Sequence, residues 1–415
     1  MRWGTGKFYN TAIRHRAALV SGAALLACAA TVAGASQAIA QEWKLSTYIS
    51  QQVLYSDNLL LSDDREISTV GFVTAPGLKV ERNSPTSTVV FDGRFEFAEY
   101  VDHSDFNSQD QFLNLNVENN LSERAKLGLS ANFTHDTTLK TELDENDEFL
   151  DDSFDFISWR VGPSFTYLLS PIDQVVLRSS YRSVSYDSNE KTDYQYFGPA
   201  IDYGRKLDEL RQVTVSLSAN RYIPEESGDD YTDTLGLLFG YVYTPSERFT
   251  IGGAAGVAYI REEEDDPGSG DEDSTDVGYR LKFNTRYELS EQTVFRFSLS
   301  HDTEPSGNGD QGVRNRVSAG IRHKVTPLTA LGLNADYSDN VDHLGVEGES
   351  TDDDDESRYL SVRPSVTWDL TEDWSLVGEY RYRHKVDEDD NESASSNTVY
   401  LTVQYNFPTI AGEGP

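Results

Sequence analysis

The stretch Ile157–Tyr181, ISWRVGPSFTYLLSPIDQVVLRSSY, decides how the rest of the chain is read. Ile157, Trp159, Val161, Phe165 and Tyr167 alternate with Ser158, Arg160, Gly162, Ser164 and Thr166. A tight polar turn, Ser170-Pro171-Ile172-Asp173, follows. Val175, Leu177, Ser179 and Tyr181 then alternate with a polar set that includes Arg178, Ser180 and Arg182. Side chains on a strand point to opposite faces with period two, so each run shows one apolar face and one polar, partly charged face. A soluble antiparallel sheet has this pattern. So has a barrel wall with lipid outside and water inside.

Repetition along the chain separates the two. Alternating runs occur at Trp43–Val53, Ser68–Val80, Thr88–Val101, Gln111–Val117 and Ala125–His135, before the quoted pair. Tyr194–Tyr203, Val213–Arg221, Thr234–Tyr243, Phe249–Ile260, Val277–Tyr287 and Thr293–His301 follow it. Val313–Val325, Leu331–Tyr337, Arg358–Trp368, Trp374–His384 and Thr398–Phe407 complete the series. Every second connection is short; the others are long and polar, the first of them around Ser56-Asp57-Asn58. A soluble sandwich has no reason to keep that alternation, whereas outer-membrane barrels have short periplasmic turns and long outer loops. The expected fold is therefore all-β: a transmembrane antiparallel up-and-down β-barrel of about eighteen strands, with sixteen as the alternative.

Aromatic placement agrees. Tyr167, Tyr203, Tyr243, Tyr287 and Trp368 each end an apolar face just before a short turn, and Phe249 and Trp374 start one just after. Such rings sit at headgroup depth and form a girdle. The last run, Val399 to Phe407, resembles the C-terminal signal read by the barrel-assembly machinery, although Pro408–Pro415 trail beyond its aromatic. Pro76, Pro163, Pro199 and Pro364 lie inside predicted strands, all on the apolar parity about seven residues before a short turn. A bulge or bend recurring at one depth is the expected accommodation.

Composition sets the address. Arg2, Lys7, Arg14 and Arg16 precede a run of small apolar residues, and Ala38-Ile39-Ala40 supplies a cleavage site before Gln41. Residues 1–40 thus read as a secretory signal peptide, 41–407 as the barrel and 408–415 as a short tail. Leu25-Leu26-Ala27-Cys28 offers lipidation as a rival, a loose match inside a longer apolar run. Cleavage after Ala40 leaves no cysteine, so disulfide stapling is excluded. Net charge is -35 and the pI about 4.4, which argues against nucleic acid as a partner. The acid collects in blocks, Glu142–Asp155, Glu262–Asp276, Glu347–Glu356 and Asp387–Glu392, read as solvated extracellular loops. None has the spacing of a calcium loop, so no metal site is expected.

Catalytic constellations are scarce. His103, His135, His301, His323, His343 and His384 are scattered, with no zinc pair, nucleophile elbow or phosphate loop. No enzyme activity and no cofactor are expected; an outer-membrane Ser-His phospholipase is the weakest alternative. The inward face is more informative. Parity aims Arg160, Arg178, Arg182, Arg280, Lys282, Arg296, Arg314, Arg316, Arg322, Arg363, Arg381 and Arg383 into the lumen. Fewer acids share that face: Asp92, Glu96, Glu118, Asp202, Asp336 and Glu379. An Arg or Lys facing lipid costs about 2–4 kcal/mol at the midplane, so these positions require water. Guanidinium forks grip carboxylates and phosphates, which suits acidic solutes or polymers. Alternatively, Arg–Glu pairs stitch facing walls together and select nothing.

Tyr55-Ser56-Asp57-Asn58, the strand Thr74-Ala75-Pro76-Gly77 and repeated Leu-Ser/Thr-x-x turns carry a resemblance across about Gln41 to Phe407. The chain resembles the outer-membrane barrels called beta-barrel porin 2 and the related barrels of exopolysaccharide biosynthesis and export. That resemblance implies an outer-membrane passage for secreted exopolysaccharide working with periplasmic polysaccharide-export proteins. A general diffusion porin is the alternative, and a surface-display barrel with a plugged lumen is third. The longest loops are the most acidic and so poor candidates to fold inward, which favours the export passage. Expected partners are outer-membrane lipid and lipopolysaccharide, the barrel-assembly machinery, export proteins and an acidic polysaccharide.

Overall fold

The structure, a computed structural model, describes residues 41–138, 153–188, 191–225, 230–264, 272–305, 311–341, 356–387 and 392–414. The expected signal peptide and most of the acidic blocks lie outside the described residues. In chain order the strands are β1 Gln41–Ser56, β2 Thr69–Asn83, β3 Ser87–Tyr100, β4 Ser108–Asn120, β5 Ala125–Thr137 and β6 Asp155–Leu168. Next come β7 Asp173–Tyr186, β8 Tyr194–Lys206, β9 Arg211–Pro224, β10 Tyr231–Ser246, β11 Phe249–Glu264 and β12 Glu272–Glu288. β13 Thr293–Pro305, β14 Gln311–Thr326, β15 Thr329–Val341, β16 Glu356–Asp369, β17 Trp374–Asp387 and β18 Glu392–Asn406 complete the wall. Each strand pairs antiparallel with its sequence neighbours, and β1 pairs with both β2 and β18. The result is a closed barrel of eighteen strands in up-and-down order. β9 has 14 residues. Tilted by about 40°, such a strand reaches about 35 Å across the layer, beyond an apolar band of about 25 Å.

Registers fix which face is which. Phe165 lies opposite Leu177 and Tyr167 opposite Val175, while Arg160 lies opposite Arg182 and Ser164 opposite Arg178. Followed round the wall, the first parity holds Phe97, Leu177, Phe197, Leu217, Leu235, Phe239 and Val257, which are 45–60% exposed. Exposed apolar side chains in a continuous belt are the signature of a surface solvated by lipid. Tyr167, Tyr203, Tyr243, Tyr287, Trp368 and Trp374 all lie on this outer parity beside short connections. Phe249 meets Tyr287 edge-on at 5.4 Å, and Trp374 lies 4.8 Å from Tyr405, so the girdle is a packed ring.

Five short turns share one local device. In Leu121–Arg124, Leu169–Asp173, Leu207–Leu210, Leu289–Gln292 and Leu370–Asp373 the residue after the leucine is Ser, Asp or Thr. Its oxygen accepts from two backbone N–H groups ahead: Ser170 from Ile172 and Asp173, Ser290 from Gln292 and Thr293, Thr371 from Asp373 and Trp374. Asp208 does the same for Leu210 and Arg211, and the Arg211 side chain holds its carboxyl below the usual carboxylate range. A side chain standing in for a turn hydrogen bond fixes the reversal and hence the register of the hairpin.

The prolines correct one expectation. No bulge occurs at any of them. Pro76, Pro163, Pro199 and Pro364 stay in register with the preceding strand, opposite Ile49, Leu129, Ser179 and Leu333. On the side of the following strand the ladder skips two residues and resumes in unchanged register. A ring without an N–H therefore costs one rung on one side only. The tail also does more than trail. Ile410–Gly414 forms a short strand, β19, against Gln41–Leu45 of β1, continuing the line of β18 past Pro408. Trp43 lies over Gly412, where an added Cβ would meet the indole at 2.7 Å.

Candidate functional site

The lumen has two unlike regions. The first is built by the β1–β2 connection. Sequence pattern presented it as a polar outer loop; instead Leu59, Leu60 and Leu61 are all nearly fully buried. Leu59 packs with the inward side chains Leu54, Val73, Ala98 and Tyr100, and Leu61 packs with Tyr359 and Ala394. The connection therefore folds inside the barrel at the end away from the short turns. The inward loop is thus not one of the long acidic loops but a shorter connection that carries an apolar triplet.

The Tyr55-Ser56-Asp57-Asn58 segment makes the fold-in possible. Ser56 is fully buried and meets the hydroxyls of Ser396 and Thr398 at 3.2 and 3.0 Å. Asp57 accepts from the backbone and side-chain N–H groups of Asn397 at 2.6 and 2.7 Å, tying β1 to β18. Asn58 donates to Ser62 O and Ser395 O and accepts from Ser62 N–H, closing a turn in which Leu61 has φ 56°. Arg383 Nη2 reaches Leu59 O at 3.1 Å, Ser396 Oγ at 3.2 Å and Asn58 O at 3.4 Å. Arg383 is thus no solvated pore lining. It is a buried clamp on the loop backbone, where loop carbonyls would otherwise lack donors. Beneath the loop lies a cavity of about 430 Å³, with Arg94 stacked on Phe112 and Arg381 facing Tyr400.

A second packed patch sits at the same end of β6–β9. Phe156, Val184, Tyr186, Tyr194 and Tyr222 point inward and are buried together. Loop and patch cover parts of the inner wall at the extracellular end, taking short turns as periplasmic.

The registers put all the named basic residues on the inner side, but in different states. Arg280 donates to Asp302 through Nε and Nη2, at 2.5 and 2.8 Å, and Lys282 reaches the same carboxylate at 2.6 Å. Arg314 pairs with Glu304 at 2.8 Å and is almost buried. Arg178 pairs with Asp202, Arg363 with Asp336 and Arg381 with Glu379. Arg182 lies over the Tyr194 ring. Asp302 and Glu304 were not among the acids expected inside, yet the alternation that assigns Arg296 inward assigns them too. Except for Arg381–Glu379, which lies within β17, these pairs join neighbouring strands of one wall, so the arginines brace the wall strand to strand and do not bridge facing walls.

Arg296 and Arg322 differ: both are exposed to the lumen with no carboxylate partner among the described residues. They line a cavity of about 570 Å³ between β12 and β16, toward the short-turn end, together with Arg286, Arg363 and Asp336. Arg160 is likewise exposed, facing Arg182 across the β6–β7 ladder. His343 lies outside the described residues, and the histidines within them do not converge. His301 is on the lipid side, stacked on Tyr279 at 3.9 Å, and His384 contacts Ala394 O.

Fold and surface together define an outer-membrane β-barrel with a water-lined, partly filled lumen. Solved structures with a similar barrel include the ferric citrate transporter FecA, at 8% identity and TM-score 0.47 over 90% of this chain and 80% of that one. The copper transporter OprC is similar at 9% identity and TM-score 0.48, covering 88% and 81%. OpdQ of Pseudomonas aeruginosa follows at 11% identity and TM-score 0.45, covering 88% and 98%. No protein-family model matches the chain, and no curated protein matches it. The resemblance to exopolysaccharide-associated barrels thus rests on the quoted segments alone.

Proposed function

We propose that this barrel is an outer-membrane passage for an acidic substrate that enters from the periplasm, with secreted acidic exopolysaccharide as the substrate class. One contrast carries the reading. The extracellular end of the lumen is packed with leucines and tyrosines, whereas the periplasmic half is wet and carries exposed guanidiniums without carboxylate partners. A basic vestibule concentrates anions on its own side of the membrane. The inward β1–β2 loop then acts as the barrier that the substrate, or a periplasmic partner engaging it, must displace.

A second reading has an observation of its own. An inward loop that narrows a lumen also suits a diffusion channel for small anions. Single-channel recording in planar bilayers separates the two, with anionic polysaccharide added to either chamber. The export reading expects a mostly closed channel whose residual current responds to polymer from the short-turn side alone. Steady ohmic current that ignores polymer would favour the porin, and a silent protein insensitive to loop removal would sink both.

A further inference from the structure

We infer that the inner wall between β12 and β16 holds a binding site for a doubly charged oxyanion, gripped by Arg296 and Arg322, with the Glu288-paired Arg286 at its edge. This deepens the proposed function, since it supplies the place where an acidic substrate would first be held. Arg286 and Arg296 are direct cross-strand partners, and Arg322 is the diagonal neighbour of Arg296 through Gly320. Like charges placed opposite each other on a sheet destabilise it unless something stands between them. Asp302 plays that part for Arg280 and Lys282 higher in the same wall. In the lower cluster Glu288 takes Arg286 and Asp336 takes Arg363, leaving Arg296 and Arg322 without a carboxylate among the described residues.

The floor is shaped as well as charged. The cross-strand neighbour of Arg296 on β14 is Gly320, and that of Arg322 on β15 is Gly332. Each guanidinium therefore projects beside a position with no side chain, and the recess of about 570 Å³ opens there. Asn334 Oδ1 and Ser365 Oγ lean over these glycines, at 2.8 Å and 2.6 Å from where a Cβ would sit, and both residues line the recess. Planar forks above a polar floor match carboxylate or phosphate oxygens, and two free forks match two negative charges. A wall that needed only stitching would pair Arg296 and Arg322 as it pairs Arg286 with Glu288 and Arg363 with Asp336.

Calorimetric titration of the detergent-solubilised barrel at low salt tests the site without requiring conductance. The probes are inorganic phosphate and succinate, with acetate as the singly charged comparison. Wild type is expected to bind both dianions, and acetate much more weakly. Arg296→Gln and Arg322→Gln should each weaken dianion binding by about tenfold or more, the loss of one charge-assisted contact. Gly320→Leu keeps every charge but fills the recess, and should weaken binding comparably; heat-dependent gel mobility reports whether each variant is a folded barrel. Equal affinity for acetate and succinate, unchanged binding by the double arginine variant, or full binding by folded Gly320→Leu would each overturn the site. Intact binding in a barrel that never conducts would overturn the passage and leave the site standing.

Discussion

The two ends of this lumen are built from the same alternation of side chains but solve opposite problems. At the extracellular end, inward positions such as Leu54, Val73, Ala98 and Tyr100 are apolar, and a loop folds in to cover them. At the periplasmic end, inward positions such as Arg296 and Arg322 are charged and stay open. Strand geometry is indifferent to this choice, because a β-ladder fixes only which residues face inward. What differs is whether the exposed wall is better covered by protein or by water. Apolar inward residues gain about 25 cal/mol for each Å² covered, which recruits a loop; guanidiniums lose hydration if covered and so repel one.

The largest test removes the cover. Replacing Leu59 and Leu60 by serine and Leu61 by glycine should release the loop and raise single-channel conductance severalfold while leaving the barrel folded. Conductance equal to wild type would mean that the loop does not set the barrier. Next in size is the ion-paired wall between the two ends. Asp302→Asn leaves Arg280 and Lys282 without their shared carboxylate in a partly buried site. Stability against chemical unfolding in detergent should fall by about 3 kcal/mol, the cost of breaking such a pair from one side. A change below about 1 kcal/mol would show that water already satisfies these groups.

Smaller effects separate clamp from wall. Arg383→Met removes the donor shared by Asn58 O and Leu59 O, worth about 2 kcal/mol to the loop. Hydrogen exchange at Leu59–Ser62 should quicken while the strands stay protected; uniform quickening would place Arg383 in the barrel's general stability. Pro199→Ala is the control for the wall alone. It offers a new N–H to the interrupted β8–β9 ladder but makes the unfolded chain more flexible. These terms nearly cancel, so stability should stay within about 0.5 kcal/mol of wild type. Moving the ring one residue on, as Pro199→Ala with Ala200→Pro, breaks the intact β7–β8 rungs and should prevent assembly.

Much of this could be read from the chain. Period two gave the strands, the leucine-hydroxyl turns gave the hairpins, and the recurring tyrosines and tryptophans gave the membrane edge. The parity that sends Arg160 and Arg178 inward follows from the same count. Leu59-Leu60-Leu61 was legible too, as an apolar triplet inside an otherwise polar connection, but it carries no periodicity and so escaped a search for alternation. The acids Asp302 and Glu304 were missed because they lie at the end of a strand, where parity runs on past the apolar stretch that announces it.

The sequence alone determined the Ile157–Tyr181 hairpin, its repeats and the sidedness of the wall. Those rest on local geometry, two residues per pleat and one turn per hairpin. Only the tertiary structure decided what the inward side chains do. Closure brings β1 against β18, and with it Asp57 against Asn397 and Leu59 beneath Arg383, partners more than 300 positions apart. It also decides that Arg280 is neutralised by its neighbour while Arg296 is not. That distinction depends on register across strands, which no single stretch of the chain contains.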